Sequence, residues 1–211
     1  KDFHLFYVGR DDVHDILKYV LSRVSVSLYL NMFGYDDGEL NDIIMAKARD
    51  VNVTMLITLD KSQSGGAHEK ALLASDVGQN PAAFNTFITT GAQSQHLADQ
   101  AAQQSTKKFV IGQSATHQIS HTKGFVADGK VAGEGSVNWS SSGEGTFVVA
   151  GQAGGAGYKA QNNTQSIITD ADTIGRFSAE LIREHLAAQS QAGGIPSANA
   201  APQPAGKTKK N

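Results

Sequence analysis

Two short apolar runs, "SVSLYLNMF" and "NVTMLITLD", flank the segment "DDGELNDIIMAKARD". The runs are rich in β-formers, and the second has the near-continuous apolar character of a strand covered on both faces. The segment between them repeats Leu40, Ile43, Ile44 and Ala48 at helical spacing. Strand, helix and strand in that order form a right-handed parallel crossover, which sets the fold class as α/β. Ahead of them, "DDVHDILKYVLSRV" carries Val13, Ile16, Leu17, Val20, Leu21 and Val24 on one stripe. Its aspartates fall in the first turn, where the helix dipole favours them.

Later segments continue the pattern. "KFVIGQ" and "HQISHTKGFVAD" read as strands, and "KVAGEGSVN" as the returning arm of a hairpin through "ADGK", whose Asp-Gly pair is a turn signal. "QSIITD" reads as a further strand and "DTIGRFSAELIREHLAAQ" as a closing amphipathic helix. Residues 76–106, rich in Gln, Ala, Ser and Thr, fit no element clearly. The expected organisation is one domain over residues 1–188 and a disordered Pro/Gly/Ala-rich tail over 189–211. The glycine-rich stretch "SSSGEGTFVVAGQAGGAGYKAQNN" reads as an additional strand or a mobile loop.

Composition removes several chemistries. The chain has no cysteine, so disulfides, thiol nucleophiles and thiolate zinc sites are absent. A formal net charge of −2 gives no broad basic footprint for nucleic acid, although a local patch remains open. No Gly-x-Ser-x-Gly elbow is present. No apolar run approaches the roughly 20 residues that span a bilayer. The expectation is a soluble protein without a transmembrane segment, cytoplasmic or exported with its signal removed.

The densest chemistry lies in "ISHTKGFVADGKVAGEGSVNWS". Side chains two apart on a strand share a face, so His121 and Lys123 point the same way, and the returning arm brings Gly135, Ser136 and Asn138 beside them. An imidazole can attack phosphorus or protonate a leaving oxygen near neutral pH. Lysine and asparagine donors can stabilise nonbridging phosphoryl oxygens, work that a metal does elsewhere. No metal or other cofactor is therefore expected.

His121, Lys123, Asp128, Gly135, Ser136 and Asn138 stand at the spacing His-x-Lys, four residues, Asp, six residues, Gly-Ser-x-Asn, and in this the chain resembles the phospholipase D superfamily. Six specified residues at fixed offsets arise by chance on the order of once in 10⁵ such sequences, so the likeness is specific. It implies a mixed β-sheet flanked by helices on both faces. It also implies His121 as nucleophile, Lys123 and Asn138 as phosphate ligands, and supporting roles for Ser136 and Gly135. For Asp128 it implies a largely structural role near the turn.

The two-step mechanism of that superfamily uses two histidines, and the chain holds one complete motif. His68-x-Lys70 lies in an expected helix with no Gly-Ser-x-Asn after it. The resemblance therefore implies a homodimer with two copies of His121 and Lys123 at one cleft. The carboxylate that orients the histidine in the superfamily has Gln165 in its place; an amide accepts a hydrogen bond but does not stabilise an imidazolium as a carboxylate does, and Glu144 is another acid able to substitute.

The leading functional reading is a metal-independent endonuclease on DNA or RNA acting through a phosphohistidine. Lys107, Lys108, Lys130 and Lys159 are candidates to line a backbone groove, and Trp139 to stack on a base or lipid headgroup or to pack in the core. The alternatives are a phospholipase D or phosphatidyl transferase acting on phospholipid, and a noncatalytic interaction domain, which the Gln165 departure motivates.

Overall fold

The computed structural model describes residues 2–48, 50, 52–60, 107–112, 121–149 and 159–191. Strands are β1 (Phe3–Tyr7), β2 (Ser27–Met32), β3 (Thr54–Asp60), β4 (Lys107–Gly112), β5 (Lys123–Ala127), β6 (Val131–Gly135) and β7 (Thr164–Ile168). Helices are α1 (Val13–Ser22), α2 (Gly38–Ala48), two single turns α3 (Ser141–Glu144) and α4 (Thr146–Val149), and the long α5 (Ala171–Gln191). The strands form one mixed sheet in the order β1-β7-β6-β5-β2-β3-β4.

The expected crossover is present: β2 and β3 pair in parallel, from Ser27 opposite Thr54 to Met32 opposite Leu59, with α2 between them in the chain. β4 extends the parallel set beyond β3. On the other side of β2 the sheet is antiparallel through β5, β6, β7 and β1.

Alternation along the strands assigns the two faces. Leu28, Leu30, Met55, Ile57, Leu59, Phe125 and Ala127 share a core with Val13, Leu17 and Leu21 of α1 and Leu40, Ile44 and Met45 of α2. Tyr29, Val126, Ala132 and Ile168, one residue out of step, pack on Ile174, Phe177 and Leu181 of α5. Helices thus cover both faces, as the α/β reading requires.

Three expectations change. β1 was not foreseen; it is an edge strand whose Phe3, Leu5 and Tyr7 are exposed, and only Phe6 reaches the main core. Residues 141–149 form two helical turns instead of the added strand: Ser140 accepts from the Gly143 N–H at 3.0 Å and Gly145 ends the first turn at φ 63°. The closing helix continues to Gln191, past the expected start of the tail. His68-x-Lys70, the Gln/Ala-rich middle and residues 192–211 lie outside the described residues.

The β5–β6 hairpin turns through Asp128 and Gly129, at φ 54° and 63°, and the Lys130 N–H closes it on the Ala127 carbonyl at 3.0 Å. The Asp128 carboxylate then reaches the entry of β2, accepting from the backbone N–H groups of Ser25 (3.1 Å), Val26 (2.8 Å) and Ser27 (2.9 Å). Partial burial opposes its charge, but these donors outweigh burial and hold the carboxyl below its ordinary 3.8. Such a group stabilises fully above 3.8, and the contribution disappears as pH falls through the lower folded-state value. Asp128→Asn keeps the left-handed turn accessible but halves the acceptor capacity. It is expected to lose about 1–3 kcal/mol in urea unfolding at neutral pH, with the gap from the native chain closing in acid.

Candidate active site

The parallel strands β2 and β3 end on the same side of the sheet, and β5 begins there, with Lys123 opposite Met32. Crevices at the carboxyl ends of parallel strands are where open α/β sheets place ligands. His121 sits just before β5 and is exposed, whereas Lys123 is 5% exposed. Lys123 Nζ donates to the His121 carbonyl at 2.7 Å and lies 3.2 Å from His121 Nδ1. The two side chains that the strand spacing placed on one face are thus in contact.

Phe33, immediately after β2, packs on both of them. Its ring is 4.4 Å from the His121 ring between centroids, and Lys123 Nζ is 4.8 Å from the Phe33 centroid. This is a cation–π distance. Burial lowers the Lys123 pKa, and the negative charges of Asp60 and Glu134 partly restore it. Asp60, at the end of β3, is itself fully buried.

Asn138 is placed by the next residue, Gly34. The Gly34 N–H donates to Asn138 Oδ1 at 3.1 Å, and since an N–H can donate only to the oxygen, the amide orientation is fixed with Nδ2 as the remaining donor. A Cβ on Gly34 would lie 2.8 Å from Asn138 Cγ, so the close approach requires glycine. Backbone bonds clamp the same pair of segments: the Trp139 N–H to the Gly34 carbonyl at 2.9 Å and the Asp36 N–H to the Trp139 carbonyl at 2.7 Å. An exposed imidazole, a largely buried ammonium and an oriented amide are therefore gathered around the Phe33-Gly34 step. That set suits binding of an anionic group with an imidazole at its side.

Ser136 and Gly135 close the neighbouring strand end. Ser136 Oγ accepts from the Thr164 N–H at 3.1 Å, and its own N–H donates to the Thr164 carbonyl at 3.0 Å. A Cβ on Gly135 would meet that carbonyl oxygen at 2.1 Å, so here too only glycine fits.

Other candidates fall elsewhere. Trp139 is 1% exposed and packs near Tyr35 and Phe125, which removes it from any stacking role on a ligand. Lys107 and Lys108 begin β4 opposite Met55 and Leu56, while Gly112 stands at the Asp60 end. At about 3.3 Å per residue this puts Lys107 about 17 Å along the sheet from the end that holds His121. Lys130 is on the hairpin turn at that same far end. A spacing argument could not see this, because strand direction decides it. Lys159 is exposed, in the stretch that leads into β7.

Gln165 is buried on β7, but its Nε2 donates to the Ser166 carbonyl at 3.0 Å and the Glu134 carbonyl at 3.4 Å, backbone partners and not an imidazole. Glu144 engages a histidine, but His14 and not His121, at 2.8 Å. Sequence reasoning missed Phe33, Gly34 and Asp60. The only signal was their position at the ends of two expected strands, with Gly34 one residue past the first.

No protein-family model matches the sequence, and no curated protein matches it. Solved structures match its fold. A phospholipase D family member, Nuc from Salmonella typhimurium, superposes with a TM-score of 0.56 at 12% identity, over 88% of this chain and 95% of that one. NucT from Helicobacter pylori gives 0.56 at 13%, over 88% and 96%. TrmBL2, an archaeal chromatin protein with a novel mode of DNA binding, gives 0.50 at 12%, over 89% of this chain and 53% of that one. The chain has the phospholipase D fold. No described helix is long and apolar enough to cross a membrane.

The burial of Trp139 separates two roles experimentally. Trp139→Ala is expected to lose about 3–5 kcal/mol in denaturant unfolding, the range for emptying a packed aromatic site. A tryptophan that served only a ligand would leave unfolding unchanged.

Proposed function

We propose that the chain is a phosphodiesterase of the phospholipase D type that cleaves nucleic acid as a homodimer, through a phosphohistidine and without a catalytic metal. The observation that carries this reading is the contact of His121 with Lys123 over Phe33, beside the oriented Asn138 amide, on a fold shared with Nuc over nearly the whole of both chains. The choice of nucleic acid draws support from the superfamily resemblance of a short chain with one motif and from the DNA-binding neighbour TrmBL2. The expected lysine groove does not support it, since Lys107, Lys108 and Lys130 sit at the other end of the sheet.

In this mechanism the phosphate enters with its nonbridging oxygens toward Lys123 Nζ and Asn138 Nδ2. A neutral His121 nitrogen attacks phosphorus, a P–N bond forms, and the P–O bond to the leaving group breaks. The partner subunit's His121 gives its proton to the departing oxygen. The same imidazole then takes a proton from water, whose oxygen attacks phosphorus and breaks the P–N bond, restoring both histidines. Lys123 and Asn138 bear the charge that develops on phosphorus at each step. Desolvation of Lys123 strengthens its hydrogen bonds there, because charge–dipole attraction rises in the lower local dielectric.

The test is cleavage of labelled single- and double-stranded DNA and RNA in excess EDTA, with phosphatidylcholine assayed in parallel. Nucleic-acid cleavage is expected to persist, and His121→Ala to reduce it by about 10³-fold or more. Lipid turnover alone would transfer the site to membrane chemistry, and loss of activity in EDTA with recovery on metal, in a chain that circular dichroism shows still folded, would refute the mechanism. Gly34→Ala, which forces Asn138 aside, is expected to lower kcat by about 10²-fold. Because burial lowers the Lys123 pKa, the basic limb of the rate profile is expected below its ordinary 10.5. A limb at or above that value would remove Lys123 as the essential acid-form donor. Sedimentation should show a dimer, and a fully active monomer would overturn the shared-cleft arrangement.

A further inference from the structure

A second constellation stands apart from His121 and Lys123. His14 lies in the first turn of α1, Asp37 just before α2, and Glu144 closes α3. His14 Nδ1 is 2.8 Å from Glu144 Oε1 and 3.3 Å from Asp37 Oδ2. One ligand atom from each of the three residues lies within 4.8 Å of the others. Glu144 is 0% exposed, and its second oxygen, Oε2, has no hydrogen-bond partner.

A single proton on His14 Nδ1 does not resolve this arrangement. It serves Glu144 Oε1 well and Asp37 poorly, and it leaves the buried Glu144 carboxyl beside that of Asp37, where only a second proton shared between the two would relieve it, a costly arrangement in a low dielectric. Burial raises the Glu144 pKa, and the nearby Asp37 carboxyl raises it further, so positive charge is favoured beside Glu144. A divalent ion in place of that proton satisfies all three residues. It takes the Nδ1 lone pair and oxygens of both carboxylates, Oε2 included, and its two charges balance theirs with the imidazole neutral. Nitrogen and oxygen donors about 2.0–2.1 Å from a tetrahedral zinc stand about 3.3 Å from one another, close to the spacings here.

The other side of the histidine is arranged to match. His14 Nε2 lies 2.8 Å from Glu39 Oε2, and Glu39 is held by Lys18 at 2.6 Å. Metal-binding imidazoles are usually fixed by a carboxylate on their second nitrogen in this way. The His14 and Asp37 side chains are 13% and 10% exposed, so the cluster meets solvent on that side.

We propose that His14, Asp37 and Glu144 bind one divalent transition-metal ion, zinc in preference to magnesium or calcium, with Glu39 orienting the His14 ring. The imidazole sets the preference, since the hard cations take oxygen ligands. The ion would join α1, the segment that follows Gly34, and the turn that follows Asn138. Its role is structural, with no contact to the phosphate in the chemistry proposed above.

The experiment uses the full, untagged chain, stripped with EDTA and returned to metal-free buffer, then titrated with zinc, manganese and magnesium by calorimetry with elemental analysis of the bound fraction. One zinc per chain with a raised Tm is expected, with magnesium at least about 10²-fold weaker. Glu144→Gln, close in volume, is expected to weaken zinc by about 10²-fold or more, and Glu39→Gln, at an exposed position, by about 10-fold. If Glu144→Gln fails to fold, Glu39→Gln and the native titration still decide the matter. His121→Ala should keep native zinc affinity, which separates this site from the proposed active site. No stoichiometric zinc in the native chain, or equal affinity in both glutamine variants, would overturn the proposal.

Discussion

The pairing of β5 against the central strand β2 is the constraint on which the site depends. With Lys123 opposite Met32 and Phe125 opposite Leu30, the apolar members of β5 enter the α1/α2 core and the lysine arrives where β2 runs out. A slip of one residue would exchange the faces, driving Lys123 toward α5 and Phe125 away from its core. Burial of Leu28, Leu30, Phe125 and Ala127 therefore positions a polar group that contributes nothing to that burial itself. Asp128 secures the other end of the same pairing through the entry of β2.

Much of this was legible in the sequence because it is local. The stripes of α1 and α2, the apolar strands β2 and β3, and the Asp-Gly turn each carry their signal within a dozen residues. Strand spacing put His121 and Lys123 on one face; they do meet, although β5 begins only at Lys123 and the contact is closed by Lys123 reaching back to the His121 carbonyl and ring. What escaped is long-range. β1 has too few inward residues to announce itself, since only Phe6 meets the main core. Phe33 and Gly34 acquire their meaning from His121 and Asn138, about a hundred positions later. The lysines of β4 were misplaced because a parallel partner starts at the far end, a fact no spacing contains.

Glu144 shows how a correct suspicion can attach to the wrong partner. Its position soon after the motif suggested a carboxylate for an imidazole, and it does hold one, but α1 supplies that imidazole at His14. The Gly-Ser-x-Asn loop is thus braced on two sides. Gly34 and Asp36 hold its end through backbone bonds to Trp139, and His14 holds the turn that follows. Side chains that never touch a phosphate decide how freely Asn138 can shift.

The strand order also shapes how the chain comes together as it is made. β1, the earliest of the described strands in the sequence, has one neighbour among them in the sheet, β7, with Phe3 opposite Ile168. β2 and β3 can pair as soon as α2 has formed, but β2 keeps an open edge until β5 emerges, and β1 waits longer still. Closing such wide loops adds only slowly to the entropy cost, yet it delays the non-local contacts that secure the sheet. During that interval an apolar strand bearing Phe3, Leu5 and Tyr7 is unpaired on both sides, a template for another chain until its own carboxyl-terminal half arrives.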